Sequence, residues 1–176
     1  MIRDNLVLIG FMGSGKTVIG RAVARLLDYE FVDTDEQIQQ VTGMTLNALF
    51  KKHGEIRFRS EEDLVVKKLA LRKRLVIASG GSLMPEKEPL TLLREQSWFV
   101  LLQAAPDVIL ERLSRKTNRG NRPLISGKPS IEQVRQLLEE RQQQYQELAN
   151  FTVNTSDIGV EEAAALIVKS YRQAGK

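Results

Sequence analysis

The sequence predicts an α/β protein built on a parallel sheet with helices packed on both faces. Short apolar runs alternate with longer segments of helical spacing along all 176 residues. The first of those runs, "NLVLIG", is continuously apolar rather than alternating, as in a strand buried on both sides. No internal repeat or low-complexity linker interrupts the alternation, and strands that alternate with helices imply parallel pairing. The length suits one domain, 1–176, with a sizeable core.

Each element follows from its own pattern. Residues 5–10 form the first strand, and 16–27, "KTVIGRAVARLL", place Val18, Ile19, Ala22, Val23, Leu26 and Leu27 at helical spacing. "YEFVD" (29–33) is a second strand. Helical patterns follow at roughly 36–42, 45–53 and 55–72. "RLVIAS" (74–79), "SWFVLLQ" (97–103) and "NFTVN" (150–154) are three further strands. Helices occupy about 86–95, 105–114, 130–149 and 159–174 between and after them. Trp98 is expected in the core and the lone His53 at an exposed helix end.

The net charge of +4 is a mild basic excess without a dense basic stripe. It favours small anionic ligands over nucleic acid. The absence of cysteine excludes disulfides and thiol chemistry and fits a reducing compartment. No apolar run approaches the ~20 residues of a membrane span. The N-terminus reads as a strand rather than a signal peptide, so a cytoplasmic location is expected.

In open parallel sheets, ligands bind beyond the carboxyl ends of the strands. Three of those ends carry conspicuous clusters: "GFMGSGKT" (10–17), "DTD" (33–35) and "SGGS" (79–82). The first matches G-x-x-x-x-G-K-[ST] between an apolar strand and an amphipathic helix. Its backbone N–H groups at Gly13, Ser14, Gly15, Lys16 and Thr17 are suited to phosphate oxygens. Lys16 is expected to reach the β- and γ-phosphates, and the Thr17 hydroxyl to ligate Mg²⁺. The GTPase patterns D-x-x-G and N-K-x-D are absent. The third and fourth strands end in Ser79 and Gln103, so only "FVD" supplies an acid at a strand end, an arrangement that suits a small kinase.

On an extended chain, residues two apart face the same way, so Asp33 and Asp35 need a positive neighbour. Asp33 is placed to face a metal at Thr17, and Asp35 to face the phosphate acceptor. Either acid also suits the N-terminus of the following helix, where one cap suffices. Arg59, in "RFRSEED", has Glu62 and Asp63 three and four residues on, and on its residues alone it reads as a helix ion pair. Arg141 interrupts an apolar stripe of Val134, Leu138, Tyr145 and Leu148. It must either snorkel to solvent or meet an anion, which its planar fork suits. The polar, basic stretch 115–128 reads as a functional loop that closes over the transferring phosphate.

Taken together, "GFMGSGKT", "FVDTD", "FRSEE", "ASGGS", "NRPLISGKPS" and "LEERQQQY" resemble the shikimate kinases almost end to end. The resemblance implies a nucleoside-monophosphate-kinase type of fold, with five parallel strands in the order 2-3-1-4-5, substrate-binding helices at about 34–72 and a lid at about 115–128. It implies transfer of the γ-phosphate of ATP to the 3-hydroxyl of shikimate, by a monomer with no nucleic-acid or membrane partner. Asp35 then orients the accepting hydroxyl. Arg59, Arg141, Gly80 and Gly81 hold the acceptor. Asp33 binds Mg²⁺ through water, Arg122 closes on the phosphates and Arg115 lies against adenine. Two positions depart from the pattern: Ser82 replaces a third glycine, and Val18 stands where a Ser or Thr often follows the metal ligand. The alternative is another small-molecule kinase, of the gluconate or nucleotide type. Carboxylate recognition is the discriminator: Arg59 and Arg141 suit a compact monocarboxylate, whereas a nucleotide acceptor needs a base pocket.

Overall fold

The computed structural model describes residues 3–80, 88–115 and 129–174. Five parallel strands form one sheet in the order β2-β3-β1-β4-β5. They are β1 (Asn5–Ile9), β2 (Glu30–Asp33), β3 (Leu75–Ala78), β4 (Ser97–Gln103) and β5 (Phe151–Asn154). The helices are α1 (Lys16–Leu27), α2 (Thr34–Thr42), α3 (Leu46–Ala70), α4 (Glu88–Gln96), α5 (Pro106–Arg115), α6 (Ile131–Leu148) and α7 (Val160–Ala174).

β1 lies at the centre and is wholly buried, as its continuous apolar run requires. Its side chains alternate between the two faces. Leu6 and Leu8 pack with Ile19, Ala22 and Val23 of α1 and with Ala163 and Ile167 of α7. Val7 and Ile9 belong to the other layer, with Phe58 and Val65 of α3, Leu93 of α4 and Tyr145 of α6. Trp98 is buried and His53 exposed, as expected. The neighbours of β1, β3 and β4, lead away in opposite directions, and such a switch point opens a crevice at the strands' carboxyl ends.

Two element boundaries differ from expectation. α2 begins at Thr34 rather than residue 36, because Asp33 caps it: its Oδ1 accepts from Asp35 N at 3.0 Å. Asp35 therefore sits in a first helical turn, with Asp33 at the strand end, and the two acids do not share one face of an extended chain. The helical patterns at 45–53 and 55–72 join as α3, which bends at Gly54 (φ 78°, ψ 178°). Phe50 and Phe58 meet edge-on across the bend at 6.0 Å. Among the described residues, no helix is long and apolar enough to cross a membrane.

Candidate active site

β2, β3 and β1 are adjacent, so the three clusters seen in the sequence end at one edge of the sheet. The phosphate loop follows β1. Gly13 (φ 80°) and Gly15 (φ 103°) take left-handed conformations that a side chain would strain, and Gly15 caps α1. Lys16 is buried and donates from Nζ to the carbonyls of Gly10 at 2.7 Å and Phe11 at 2.9 Å. The Thr17 hydroxyl donates to Asp33 Oδ2 at 2.9 Å. A hydroxyl and a carboxylate are thus side by side at the mouth of the loop. This is the hard oxygen set that suits Mg²⁺, which typically takes one or two protein groups and completes its shell with phosphates and water. Among the described residues there is no cluster of three or more His, Cys, Asp or Glu able to hold a metal without such help.

Beyond β3, Gly80 N donates to the buried Thr34 Oγ1 at 2.6 Å, tying this strand's end to the start of α2. The Gly80 Cα lies so close to Asp35 that a Cβ there would stand 2.4 Å from Asp35 Oδ1. Asp35 is thereby set beside the loop that follows β3. Thr34 was not foreseen, because nothing in "DTD" separates a threonine that ties two strand ends together from a solvent-facing one.

Arg59 is covered to 18 % side-chain exposure, and its Nη1 donates to Glu62 Oε2 at 2.8 Å. Its second acid is Glu55, one turn earlier, at 3.3 Å. Burial by itself lowers the pKa of Arg59, but the charges of Glu62 and Glu55 outweigh it and the net shift is upward. Arg141 is half-buried on α6, among Val134, Tyr145 and Leu148. Burial raises the pKa of the Tyr145 hydroxyl, and the nearby Arg141 charge offsets part of that. The hydroxyl faces Arg141 but makes no well-formed hydrogen bond among the described residues.

Arg115 ends α5, exposed and paired with Glu111. Val18, in the departing position, is exposed. Gly81, Ser82, Arg122 and all of the expected lid beyond Arg115 lie outside the described residues.

A family model described as "Shikimate kinase" matches residues 12–172. The chain belongs to the shikimate kinase family. A shikimate kinase from Pelotomaculum thermopropionicum is 43 % identical over 164 residues, which are 93 % of each chain. One from Thermodesulfovibrio yellowstonii is 41 % identical over 96 % of this chain and 95 % of its own. Among solved structures, shikimate kinase from Acinetobacter baumannii in complex with shikimate superposes with a TM-score of 0.88 at 33 % identity. That match covers 97 % of this chain and 94 % of the other. The strand order that the family implies is the order found.

Two residues that sequence reasoning missed also reach the phosphate loop of this shikimate kinase family member. Arg112 of α5 donates from Nη1 to Gly13 O at 3.3 Å and to Thr155 Oγ1 at 3.0 Å, and from Nη2 to Thr155 O at 2.5 Å. Thr155, just past β5, in turn reaches Ser14 O at 3.0 Å. Both residues are far from the loop in sequence, and no local spacing marks either one.

Proposed function

We propose that the chain transfers the γ-phosphate of ATP to the 3-hydroxyl of shikimate, giving shikimate 3-phosphate and ADP. The observation that carries this is the adjacency of three strand ends, which sets Lys16, Asp33 and Asp35 along one edge of the sheet. A phosphate donor and an alcohol acceptor can meet there. Phosphoryl transfer needs positioning and charge neutralisation more than covalent chemistry.

On this reading the N–H groups of Gly13, Ser14, Gly15, Lys16 and Thr17 hold the phosphates, that of Ser14 leaving its 3.2 Å bond to Phe11 O to do so. Lys16 exchanges its carbonyl partners for phosphate oxygens and stabilises charge that develops on them. Asp35 accepts a hydrogen bond from the 3-hydroxyl and points it at the γ-phosphate. Arg59 and Arg141, with the backbone at Gly80 and Gly81, hold the carboxylate and ring. Glu62 holds Nη1 of Arg59, and a ligand anion takes the place of the exposed Glu55 on the Nε–Nη2 edge. Arg122 closes on the phosphates and Arg115 lies against adenine. Thr17 would hold Mg²⁺ directly and Asp33 would hold it through water, and the chemistry it would supply is neutralisation of phosphate charge. The enzyme works as a cytoplasmic monomer on small molecules alone.

The carboxylate assignment tests the acceptor. Arg141→Ala should weaken shikimate binding by about 2–5 kcal/mol, the cost of truncating one partner of a buried charge pair. Nucleotide binding should be almost untouched. Arg141→Lys should recover only part of the loss, since an ammonium cannot form two parallel hydrogen bonds. A carboxamide analogue of shikimate completes a cycle that isolates the pairwise energy. Calorimetry that returns a coupling near zero puts the carboxylate elsewhere. A coupled ADP-release assay across hydroxy acids decides the gluconate-type alternative.

A further inference from the structure

We infer that Arg112, acting with Thr155, is a positioning residue for phosphoryl transfer: the pair clamps the phosphate loop in the shape that presents its N–H groups to the nucleotide. The inference deepens the ATP reading above and rests on it.

A loop that turns successive N–H groups toward an anion must turn its carbonyls the other way. Each such carbonyl needs a donor, because a buried polar group left unpaired costs free energy. Within the loop some of this is local. Phe11 O accepts from Ser14 N at 3.2 Å, and Gly15 O accepts from Ile19 N at 2.9 Å as α1 begins. Lys16 serves Gly10 O and Phe11 O. Gly13 O and Ser14 O, at the tightest part of the turn, have donors on other elements. Arg112 serves the first and Thr155 the second.

The two donors are themselves locked together. Arg112 spans both oxygen atoms of Thr155 with its two terminal nitrogens. Thr155 is 1 % exposed, and its N–H is fixed to Gln103 O at 2.8 Å, at the end of β4. Apolar packing backs this up, since Phe11 and Met12 form a small buried cluster with Ile109 of α5. The clamp therefore joins β4, the end of β5 and α5 to the two peptide units whose tilt aims the cradle. A planar guanidinium with five donors suits this work, because three acceptors in fixed directions must be met at once.

The pair stands behind the loop, so its loss should act on the phosphates that the loop holds and leave the acceptor alone. The test measures ADP and AMP affinities by calorimetry, together with steady-state kinetics, on the full chain. Arg112→Ala should weaken ADP about tenfold, the scale of one lost charged hydrogen bond. AMP, which lacks the β-phosphate, should change less than about twofold, and the KM for shikimate should stay put. Arg112→Lys should restore part of the ADP affinity. Thr155→Val should reproduce the loss and Thr155→Ser should avoid it. These four variants keep the test open if the alanine change also lowers stability. Thr155→Val added to Arg112→Ala should cost little more, as expected of one coupled unit. Equal losses for ADP and AMP, or lower stability with unchanged ADP affinity, make Arg112 a structural residue and overturn the clamp. A wild-type chain that fails to bind ADP overturns the ATP reading and the clamp with it. Normal wild-type binding with an unaffected Arg112→Ala overturns the clamp alone.

Discussion

In the phosphate loop most of the groups proposed to hold ligand are backbone N–H groups, joined by the Lys16 and Thr17 side chains, and the carbonyls of Gly10, Phe11, Gly13 and Ser14 all have donors. Across the site the groups proposed to hold the acceptor are mainly side chains, and charge rather than loop geometry holds them. Arg59 leans on Glu62 and Glu55, and Arg141 faces the Tyr145 hydroxyl. The donor half is a closed hydrogen-bonded unit whose shape is its function. The acceptor half is a set of arms on α2, α3 and α6 whose aim depends on how those helices are placed. Removing a group that is tied into the loop should therefore disable the donor half, and misaiming a side chain should be enough to disable the acceptor half.

The largest expected effect breaks the donor half. Lys16→Met keeps an unbranched side chain one heavy atom shorter and removes its charge. Turnover should fall by about 10²–10³-fold, as for losing one preorganised group on a developing anion. Shikimate affinity should change little, because Lys16 is tied to the loop carbonyls and not to the acceptor wall. Near-normal turnover in the coupled assay removes the phosphate loop from the mechanism.

The same contrast explains what the sequence made legible. The phosphate loop could be read because its geometry is local: eight consecutive residues between a strand and a helix specify it. The strands were legible because a central parallel strand is apolar on both faces, as β1 is. Arg141 stood out as a charge on an apolar stripe. The start of α2 was misplaced by two residues because Asp33 serves as both strand end and cap, and a cap reads like any other polar residue. The order of the strands came from family resemblance, since periodicity does not encode which strands are neighbours. Arg112 and Thr155 were invisible for a related reason. Their partners lie 99 and 141 residues away in sequence, and only the folded sheet brings them together.

A change that moves a group without removing it sharpens the comparison on the acceptor side. At Gly80 an added Cβ would stand 2.4 Å from Asp35 Oδ1. That oxygen ends a short, rotatable side chain, so Gly80→Ala should be accommodated by turning the Asp35 carboxylate aside. Stability should hardly change. Misplacing a reacting group by on the order of an ångström can cost up to ~10²-fold. The expected result is a loss of ~10- to 10²-fold in kcat/KM for shikimate, with ADP affinity preserved. Wild-type kinetics in a variant of unchanged melting temperature means that the aim of Asp35 does not matter.

Gly54 tests the acceptor half with the smallest expected effect on chemistry. Along a straight helix, eight residues rise ~12 Å. Phe50 and Phe58 nevertheless meet at 6.0 Å, and Leu49 and Phe58 are both buried in the core of that sheet face. The bend at Gly54 permits this, with a backbone conformation (φ 78°, ψ 178°) that residues other than glycine rarely adopt. A side chain would meet nothing within 4 Å there, so space is not the constraint. Gly54→Ala must either keep the bend under strain or straighten α3 and part the two rings. Both routes should cost stability, by about 1–3 kcal/mol for the strained backbone. Arg59 lies on the far side of the bend, anchored to Glu62 in its own turn of helix, so its fork should keep its shape. Shikimate affinity should thus fall only a few-fold while the melting temperature drops clearly. Denaturant unfolding alongside shikimate titration separates the two. If the variant unfolds like wild type, the bend is not held by glycine's backbone freedom. If affinity collapses with little loss of stability, Gly54 belongs to the acceptor site itself, and the division between a locally built donor half and a fold-aimed acceptor half must be redrawn.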